Sequence, residues 1–373
     1  MRILQISSAR HFGGGERHFV DLTNGLTENG HEIFVAANPD SPILADLRKR
    51  AGQNFFELSP SNALNFAKLN ALRRFVREHS IEIVHAHMAR DYPLAALAVG
   101  RNRGARLIIT RHVLFPMSKL HRITRRRVAK VIAVSQAVAA VVRGQGIFRD
   151  DQIDVVPNGI DLAKFRPPVS GHSPGRLCVG ILGELTQNKG QIEFVRAAEI
   201  VAAEIDNIDF IVAGRDNSSD GEYGRQLEKL IEASSFRDRM QLIESRIDVA
   251  EFLSSIDVVV SASKSEAFGL AIVEAMAAGV PVVATATAGA CEIISDNQTG
   301  YLVPISDVTK MASAISHVLK NSAERQHVSE SALEIVTRRF SLERMVSDTE
   351  VVYREALARS RSANDSSPME LVR

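Results

Sequence analysis

The 373-residue chain has few cysteines and no long apolar run. Its two cysteines, Cys178 and Cys291, lie far apart and fit neither a metal-binding nor a redox spacing, which favours a reducing compartment. No apolar run approaches the ~20 residues that cross a bilayer. The N-terminus enters the apolar stretch 2–6 without the features of a signal peptide. These absences predict a cytoplasmic protein without membrane-spanning helices.

Two common nucleotide-binding signatures are also missing. No G-x-G-x-x-G with a downstream acidic residue is present, which disfavours a Rossmann dehydrogenase. The segment Phe12-Gly13-Gly14-Gly15-Glu16-Arg17 follows a predicted strand and opens a predicted helix, but no Lys-Ser/Thr closes it as in a P-loop. Glycines before a helix still let the backbone approach a ligand and leave free N–H donors. The segment is therefore either a ligand-binding turn or a simple tight turn.

The charge of the chain is unevenly distributed. The length suits two domains, and 45% apolar with 24% charged residues is typical of a globular protein. Residues 1–165 hold 24 Lys/Arg against 14 Asp/Glu, whereas the remainder hold 21 against 30. Six Lys/Arg fall within residues 119–130. That segment is either a solvated helix or a peripheral contact with the inner face of a membrane or a phosphorylated acceptor. We expect no nucleic-acid partner.

Short β-branched runs alternate with helical stretches along the whole chain, which is typical of parallel α/β architecture. The predicted strands are 3–6, 33–37, 81–85, 107–110, 131–134, 177–182, 210–213, 258–261 and 282–284. The alternation of strands and helices starts again at the strand 177–182, so we expect two doubly wound, Rossmann-like sheets.

A Pro-, Gly- and Ser-rich segment at 166–175 marks the predicted domain boundary. The predicted domains are two Rossmann-like domains at 1–168 and 169–345. A C-terminal helix at 346–359, which returns to the N-terminal domain, and a flexible tail at 360–373 follow them.

The most informative segment is 265–274, in which Glu266 and Glu274 lie eight positions apart around Phe268-Gly269-Leu270. If Gly269 opens a helix, eight helical rises separate the carboxylates by about 12 Å. Paired glycosidase carboxyls lie only roughly 5–9 Å apart. A nucleotide-sugar is long enough to reach both carboxylates, with backbone N–H groups pointing at its diphosphate. The spacing alone also fits an amphipathic helix with two solvated glutamates.

Together these features resemble the family-4 retaining glycosyltransferases of glycosyltransferase group 1. The match is carried by the glycine loop 12–17, by 81–87, by 155–161 after Val134-Ser135, and by the Glu-x7-Glu block from Ser263 to Pro281. The resemblance covers the chain to about residue 357. It implies the GT-B fold, with two facing Rossmann-like domains and a central cleft.

The resemblance also implies a role for each site residue. In the C-terminal domain, Glu274 would bind the ribose, Glu266 the donor sugar, and Lys189 the departing diphosphate. The backbone of Phe268, Gly269 and Leu270 would meet phosphate or sugar oxygens. In the N-terminal domain, His112 would line the reaction centre. The other residues implied in this acceptor-binding domain are Gly14 and Gly15, near the diphosphate and the acceptor, and Gly13, Glu16 and Arg17 on the acceptor side.

The implied activity is retaining transfer of a sugar from a nucleotide-sugar to a hydroxyl of a glycolipid, lipopolysaccharide or polysaccharide, with no metal or other cofactor. One position departs from the family, which usually has an arginine where this chain has Glu184; Arg215 is the nearest substitute by topology. A non-catalytic sugar-nucleotide binder and a sugar-nucleotide epimerase therefore stay open. His85 and His87 alternate along a strand without a nearby carboxylate or thiol, and we expect structural roles for both. The sequence does not set the donor base, the donor sugar, the acceptor or the oligomeric state.

Overall fold

The computed structural model divides into two compact units. Unit 1 comprises Met1–Gly159 and Leu342–Arg373, and unit 2 comprises Ile160–Ser341. The divisions therefore fall after Gly159 and Ser341 rather than after the predicted positions 168 and 345. The predicted boundary segment 166–175 lies outside the described residues, which are 1–10, 13–41, 44, 47, 54–58, 66–100, 104–119, 121–165, 176–218, 220–245 and 248–365.

Unit 1 is built on a parallel sheet that has seven strands within the described residues. The strands are β1 (Arg2–Ser7), β2 (Glu32–Ala37), β3 (Phe55–Glu57), β4 (Ile83–Ala86), β5 (Arg106–Arg111), β6 (Val128–Ala133) and β7 (Ile153–Val155). The helices are α1 (Gly14–Glu28), α2 (Phe66–Glu78), α3 (Tyr92–Val99), α4 (His121–Thr124) and α5 (Gln136–Gly144). The strand order is β3-β2-β1-β4-β5-β6-β7. From β1, successive strands are added first towards one edge of the sheet and then, from β4 onwards, towards the other, so the order reverses between β1 and β4.

Unit 2 repeats this plan with six strands among the described residues. The strands are β8 (Leu177–Leu182), β9 (Ile208–Gly214), β10 (Met240–Glu244), β11 (Val258–Ser261), β12 (Val282–Thr285) and β13 (Tyr301–Val303). The helices are α6 (Gln191–Glu204), α7 (Glu222–Ala233), α8 (Val249–Ser254), α9 (Leu270–Ala277), α10 (Ala288–Ile293), α11 (Val308–Lys320) and α12 (Ser322–Arg339). The order β10-β9-β8-β11-β12-β13 reverses between β8 and β11.

The central strands are almost continuously apolar because helices cover a parallel sheet. In β1 every residue after Arg2 is buried, and in β11 the three valines are buried. Gly180 of β8 allows a helix to pack closely, since a Cβ there would lie 2.7 Å from the Phe252 ring. All nine predicted strands are present, and β3, β7, β10 and β13 are additional strands that the sequence did not predict.

The last helix, α13 (Leu342–Asp365), packs within unit 1. It extends past the predicted end at residue 359, so the first part of the predicted tail is helical, and 366–373 lie outside the described residues. A Cβ on Gly25 of α1 would lie 2.5 Å from Val346 Cγ2, so a glycine is needed where these two helices meet. Within the described residues, none of the helices is long and apolar enough to cross a membrane.

Lys130 ties this terminal helix to the sheet. It is 2% exposed on β6, and its Nζ lies 2.9 Å from Asp154 Oδ2 and 2.7 Å from Glu355 Oε2. Burial lowers the pKa of Lys130, but the two carboxylate hydrogen bonds outweigh that effect and raise it above its usual value. The lysine is therefore charged and paired. Its place in the basic segment 119–130 had suggested an exposed position, but Lys130 is not part of an exposed basic face.

Candidate functional site

Two strand-to-helix loops meet at the carboxyl ends of β8 and β11 in unit 2. These strands are neighbours on either side of the point where the strand order reverses, which is where open α/β sheets bind ligands. The backbone carbonyl of Asn188 accepts from Lys264 N–H at 2.7 Å, and the Asn188 amide donates to Ser265 O at 2.9 Å. Gly190 has φ +72°, and a Cβ there would lie 2.1 Å from Ala262 O. The two loops are thus held in direct contact.

Lys189 and Glu266 form an ion pair across this junction. Lys189 Nζ lies 2.6 Å from Glu266 Oε2, and the side chains are 31% and 18% exposed. Ser263 Oγ lies 3.4 Å from the same carboxylate oxygen. The structure therefore brings together the two residues predicted to meet the diphosphate and the donor sugar, although they are separated by 77 positions.

The next feature is the start of α9. Gly269 is its N-cap with φ +115°, a conformation that favours glycine. Among the described residues, no acceptor contacts the backbone N–H groups of Phe268, Gly269 and Leu270. Such free donors at a helix N-terminus attract an anion. The loop is fixed from behind: the buried Phe268 ring packs edge-on against Phe340, and Gly289 N–H donates to Glu266 O at 3.0 Å.

Glu274 is the single charged residue of α9, and it is buried at 6% exposure. The helix is otherwise apolar, with Ile272, Val273 and Met276 packed in the core. A carboxylate in such surroundings is costly unless hydrogen-bond donors satisfy it. Its role as an acceptor for the ribose hydroxyls stays a prediction.

Glu184 and Arg215 lie in adjacent loops after β8 and β9. Both side chains are exposed, and the Glu184 carboxylate accepts from the Asn217 amide at 3.0 Å. Leu185 N–H donates to Arg215 O at 2.9 Å, and a Cβ on Gly214 would lie 1.9 Å from Gly183 O. The structure therefore places Arg215 beside the loop that carries Glu184.

In unit 1 the glycine loop leads into α1. Phe12 lies outside the described residues, and Gly13 is the N-cap. Glu16 caps the helix, since Gly13 N–H donates to its Oε2 at 2.9 Å. Arg17 Nε lies 3.2 Å from Asp21 Oδ2. The two side chains predicted on the acceptor side therefore have structural partners within the helix.

His112 follows β5 and lies beside the start of α1, because a Cβ on Gly15 would lie 3.7 Å from its ring. It belongs to a group of histidines: its ring centroid is 4.8 Å from that of His18 on α1 and 5.8 Å from that of His87, which follows β4. Burial lowers the pKa of His18 to about 4, and it lowers the pKa values of His87 and His112 well below the usual range. All three rings are therefore neutral near pH 7.

His85 has a different environment from these three. Its Nδ1 lies 2.6 Å from Tyr353 Oη and its Nε2 lies 2.6 Å from Thr110 Oγ1, so both nitrogens are satisfied inside the core. This is the structural role expected for His85. His18 was not singled out in the sequence, because nothing in a helical pattern shows which strand ends a helix residue will meet.

Two parallel, doubly wound units with polar loops at their reversal points define an α/β protein of the GT-B fold. The structure is similar to that of a glycosyltransferase from Rickettsia africae (TM-score 0.85, 22% identity, 95% of this chain and 98% of that chain). It is also similar to Anabaena HepE in complex with UDP and glucose (TM-score 0.81, 20% identity, 94% and 98%). The predicted fold class is confirmed.

The sequence matches two family descriptions, "Glycosyltransferase Family 4" over residues 12–164 and "Glycosyl transferases group 1" over residues 164–334. The chain belongs to this family of glycosyltransferases, as predicted. It is 25% identical to the gpi3 subunit of phosphatidylinositol N-acetylglucosaminyltransferase from Schizosaccharomyces pombe, over 91% of this chain and 77% of that protein. It is 30% identical to the lipopolysaccharide core biosynthesis mannosyltransferase LpcC from Rhizobium leguminosarum, over 61% and 66%.

Proposed function

We propose that this glycosyltransferase moves a sugar, with retention of configuration, from a nucleotide-sugar to a hydroxyl of a glycolipid, lipopolysaccharide or polysaccharide, without a metal ion. The observation that carries the proposal is the Lys189–Glu266 ion pair at the reversal point of unit 2, next to three free N–H groups. The names of two relatives refer to phosphatidylinositol and to lipopolysaccharide core, which supports an acceptor of this class.

Unit 2 would bind the donor. The N–H groups of 268–270 and the Lys189 ammonium would meet the diphosphate, with Arg215 as an additional cation, so that positive groups of the protein replace a metal. In the protein without a donor, the Lys189 ammonium is paired with the Glu266 carboxylate. Donor binding would transfer that ammonium to a phosphate oxygen and leave Glu266 to accept from a sugar hydroxyl. Glu274 would accept from the ribose hydroxyls.

The chemical step follows from this arrangement of charges. The acceptor oxygen forms a bond to the anomeric carbon as the bond to the diphosphate oxygen breaks, on the same face of the sugar. The departing diphosphate takes the acceptor's proton, so no carboxylate nucleophile is needed. We assign acceptor recognition to unit 1, with His112, Gly14 and Gly15 at its reacting end.

We expect acceptor-dependent release of nucleoside diphosphate in the presence of EDTA, with the new glycosidic bond in the configuration of the donor. The measurement is a panel of UDP-, GDP- and ADP-sugars with lipid-linked acceptors, and NMR of the product's anomeric signal. Nucleotide release without acceptor would indicate an epimerase, and donor binding without release would indicate a non-catalytic binder. Inverted product, or activity only with a divalent ion, would refute the mechanism.

We further propose that the surface around α4 contacts anionic lipid. Phe115 and Ile123 are 77% and 76% exposed. The same short segment of the chain carries five exposed cations: Lys119, Arg122, Arg125, Arg126 and Arg127. Exposed apolar and basic side chains in one segment suit a membrane surface, where each basic residue contributes about 1 kcal/mol.

The triple change of Arg125, Arg126 and Arg127 to Gln should weaken binding to anionic vesicles by about 100-fold, because it removes three such charges. Sedimentation with phosphatidylglycerol vesicles at low and high salt measures the effect. The matched control changes Arg73, Arg74 and Arg77 of α2, which are equally exposed, to Gln. Equal losses in both variants, or equal binding to neutral vesicles, would contradict a defined contact surface.

A further inference from the structure

Three histidines of unit 1 converge from different elements. His18 lies on α1, His87 follows β4 and His112 follows β5, and one ring nitrogen of each lies within 4.8 Å of the others. We propose that these three side chains form a binding site for one transition-metal ion, with Zn²⁺ as the best-suited ion. Three imidazoles without a carboxylate or thiolate are a ligand set that suits zinc, copper or nickel.

The hydrogen bond of His87 directs a lone pair towards this site. His87 Nε2 lies 2.8 Å from Gln5 Oε1, and an amide oxygen only accepts, so Nε2 carries the proton. The Gln5 amide nitrogen donates to Tyr353 Oη at 3.2 Å, so the other end of the amide also has a partner. His87 Nδ1 is left as an acceptor, and it is buried without a partner. Metal-binding histidines characteristically donate their other N–H to a carbonyl in this way.

The other two histidines also have buried ring nitrogens that lack a well-formed hydrogen bond. Nε2 of His112 is buried without a hydrogen-bond partner. The ring nitrogens of His18 make no well-formed hydrogen bond; burial lowers the pKa of His18 by more than their contact with Asn158 raises it. Unpartnered polar atoms are costly inside a protein, and a cluster of them is a place where water or an ion can bind. One cation that accepts three imidazole lone pairs would satisfy three of these atoms at once.

The geometry fits after a small adjustment. Zn–N bonds of about 2.0–2.1 Å in a tetrahedral site place the ligating nitrogens about 3.4 Å apart. In the structure the corresponding nitrogens of the three histidines lie within 4.8 Å of one another. Rotation of the His18 and His112 side chains would close this difference. His112 is partly exposed, which provides an entry path for the ion. Three protein ligands leave a fourth position open to water or to another oxygen ligand.

Metal bound here would engage His112, which the proposed function places at the reacting end of unit 1. We therefore expect Zn²⁺ to inhibit transfer reversibly. This consequence rests on the proposed function, whereas the binding itself does not. The proposed chemistry of the donor site in unit 2 needs no metal.

The test is titration of the chelator-treated protein with Co²⁺, followed by displacement with Zn²⁺. We expect one Co²⁺ per chain with visible d–d absorption, loss of that absorption on adding Zn²⁺, and a rise of Tm with either ion. His18→Leu should lower the affinity at least 100-fold. Because the His18 ring has no well-formed hydrogen bond to lose, this change should leave Tm in metal-free buffer equal to or above that of the wild type.

His317→Leu is the matched control, because His317 is exposed and pairs with Glu324 away from this cluster. His112→Gln provides a second variant if His18→Leu does not fold. Absence of a Co²⁺ signal in the wild type, or binding by His18→Leu and His112→Gln equal to the wild type, would overturn the proposed site. Tight Zn²⁺ binding without inhibition would leave the site standing and overturn the placement of His112.

Discussion

Replacement of Glu266 by alanine should lower turnover by about 10²–10³-fold while nucleotide binding survives. This is the typical cost of removing one fixed polar group that acts on the transition state. Glu266 would hold the donor sugar, not the nucleotide, so the dissociation constant for free nucleotide should change little. The pair with Lys189 is partly exposed, so its loss should alter the free energy of unfolding by no more than ~1 kcal/mol. The lost turnover would then report on chemistry and not on folding.

A double-mutant cycle with Lys189→Ala separates the two roles. Lys189 would stabilise the leaving diphosphate, so its removal alone should also lower kcat. Because the two side chains contact each other, the double variant should lose less than the product of the single losses. Glu193→Ala is the matched control, since Glu193 forms a similar pair with Lys264 at 2.8 Å. Wild-type turnover in Glu266→Ala, or equal damage in Glu193→Ala, would show that the assignment of Glu266 is wrong.

The strands that the sequence failed to predict share a position. β3, β7, β10 and β13 are the four edges of the two sheets. An edge strand pairs on one side only and is covered less completely, so it needs fewer consecutive apolar residues. In β10 none of the five residues is fully buried, and β3 has only three residues. Their positions are set by pairing with a neighbour that is distant in sequence, which a local pattern does not contain.

The placement of the candidate donor-site residues in two neighbouring loops was predictable, because each loop belongs to a local strand-turn-helix pattern. Lys189, Glu266 and Gly269 lie in loops that follow strands whose apolar character is plain in the sequence. The histidine cluster of unit 1 was not predictable in this way. His18 meets His87 only because α1 packs against β1, the neighbour of β4, and the partner of His87 is Gln5 on β1. These contacts depend on helix docking, which periodicity does not specify.

For Lys130 the sequence suggested an exposed position that the structure does not have. The run of charges at 119–130 was interpreted without the tertiary partners of this lysine. Residues 128–133 form the interior strand β6, and the lysine is tolerated in its buried position because Asp154 and Glu355 supply carboxylates from β7 and α13. One of those partners is 225 positions away. A buried charge is tolerated only when paired, so the location of Lys130 could be known only with its partners.

Glu274→Ala should weaken nucleotide binding by about 100-fold, the second large effect that we expect. A carboxylate that accepts from two ribose hydroxyls forms charge-assisted hydrogen bonds, each contributing about 1.5–3 kcal/mol. Glu274 is buried on an apolar helix, so water would compete poorly for it. Alanine is a strong helix former, and we expect α9 to persist.

The measurement is the shift of Tm with UDP, GDP, ADP and CMP, because a ligand stabilises only the state that binds it. At 100 times the dissociation constant the wild type should gain about 2.7 kcal/mol, and a 100-fold weaker variant at the same concentration should gain only about 0.4 kcal/mol. Glu274→Gln keeps an acceptor without the charge and should fall between them. Glu334→Ala, an exposed glutamate of unit 2, should retain the full shift. A full Tm shift in Glu274→Ala would show that the ribose binds elsewhere. If the wild type shifts with one nucleotide class and Glu274→Ala loses that shift, the result would identify the donor base and show that Glu274 binds the ribose.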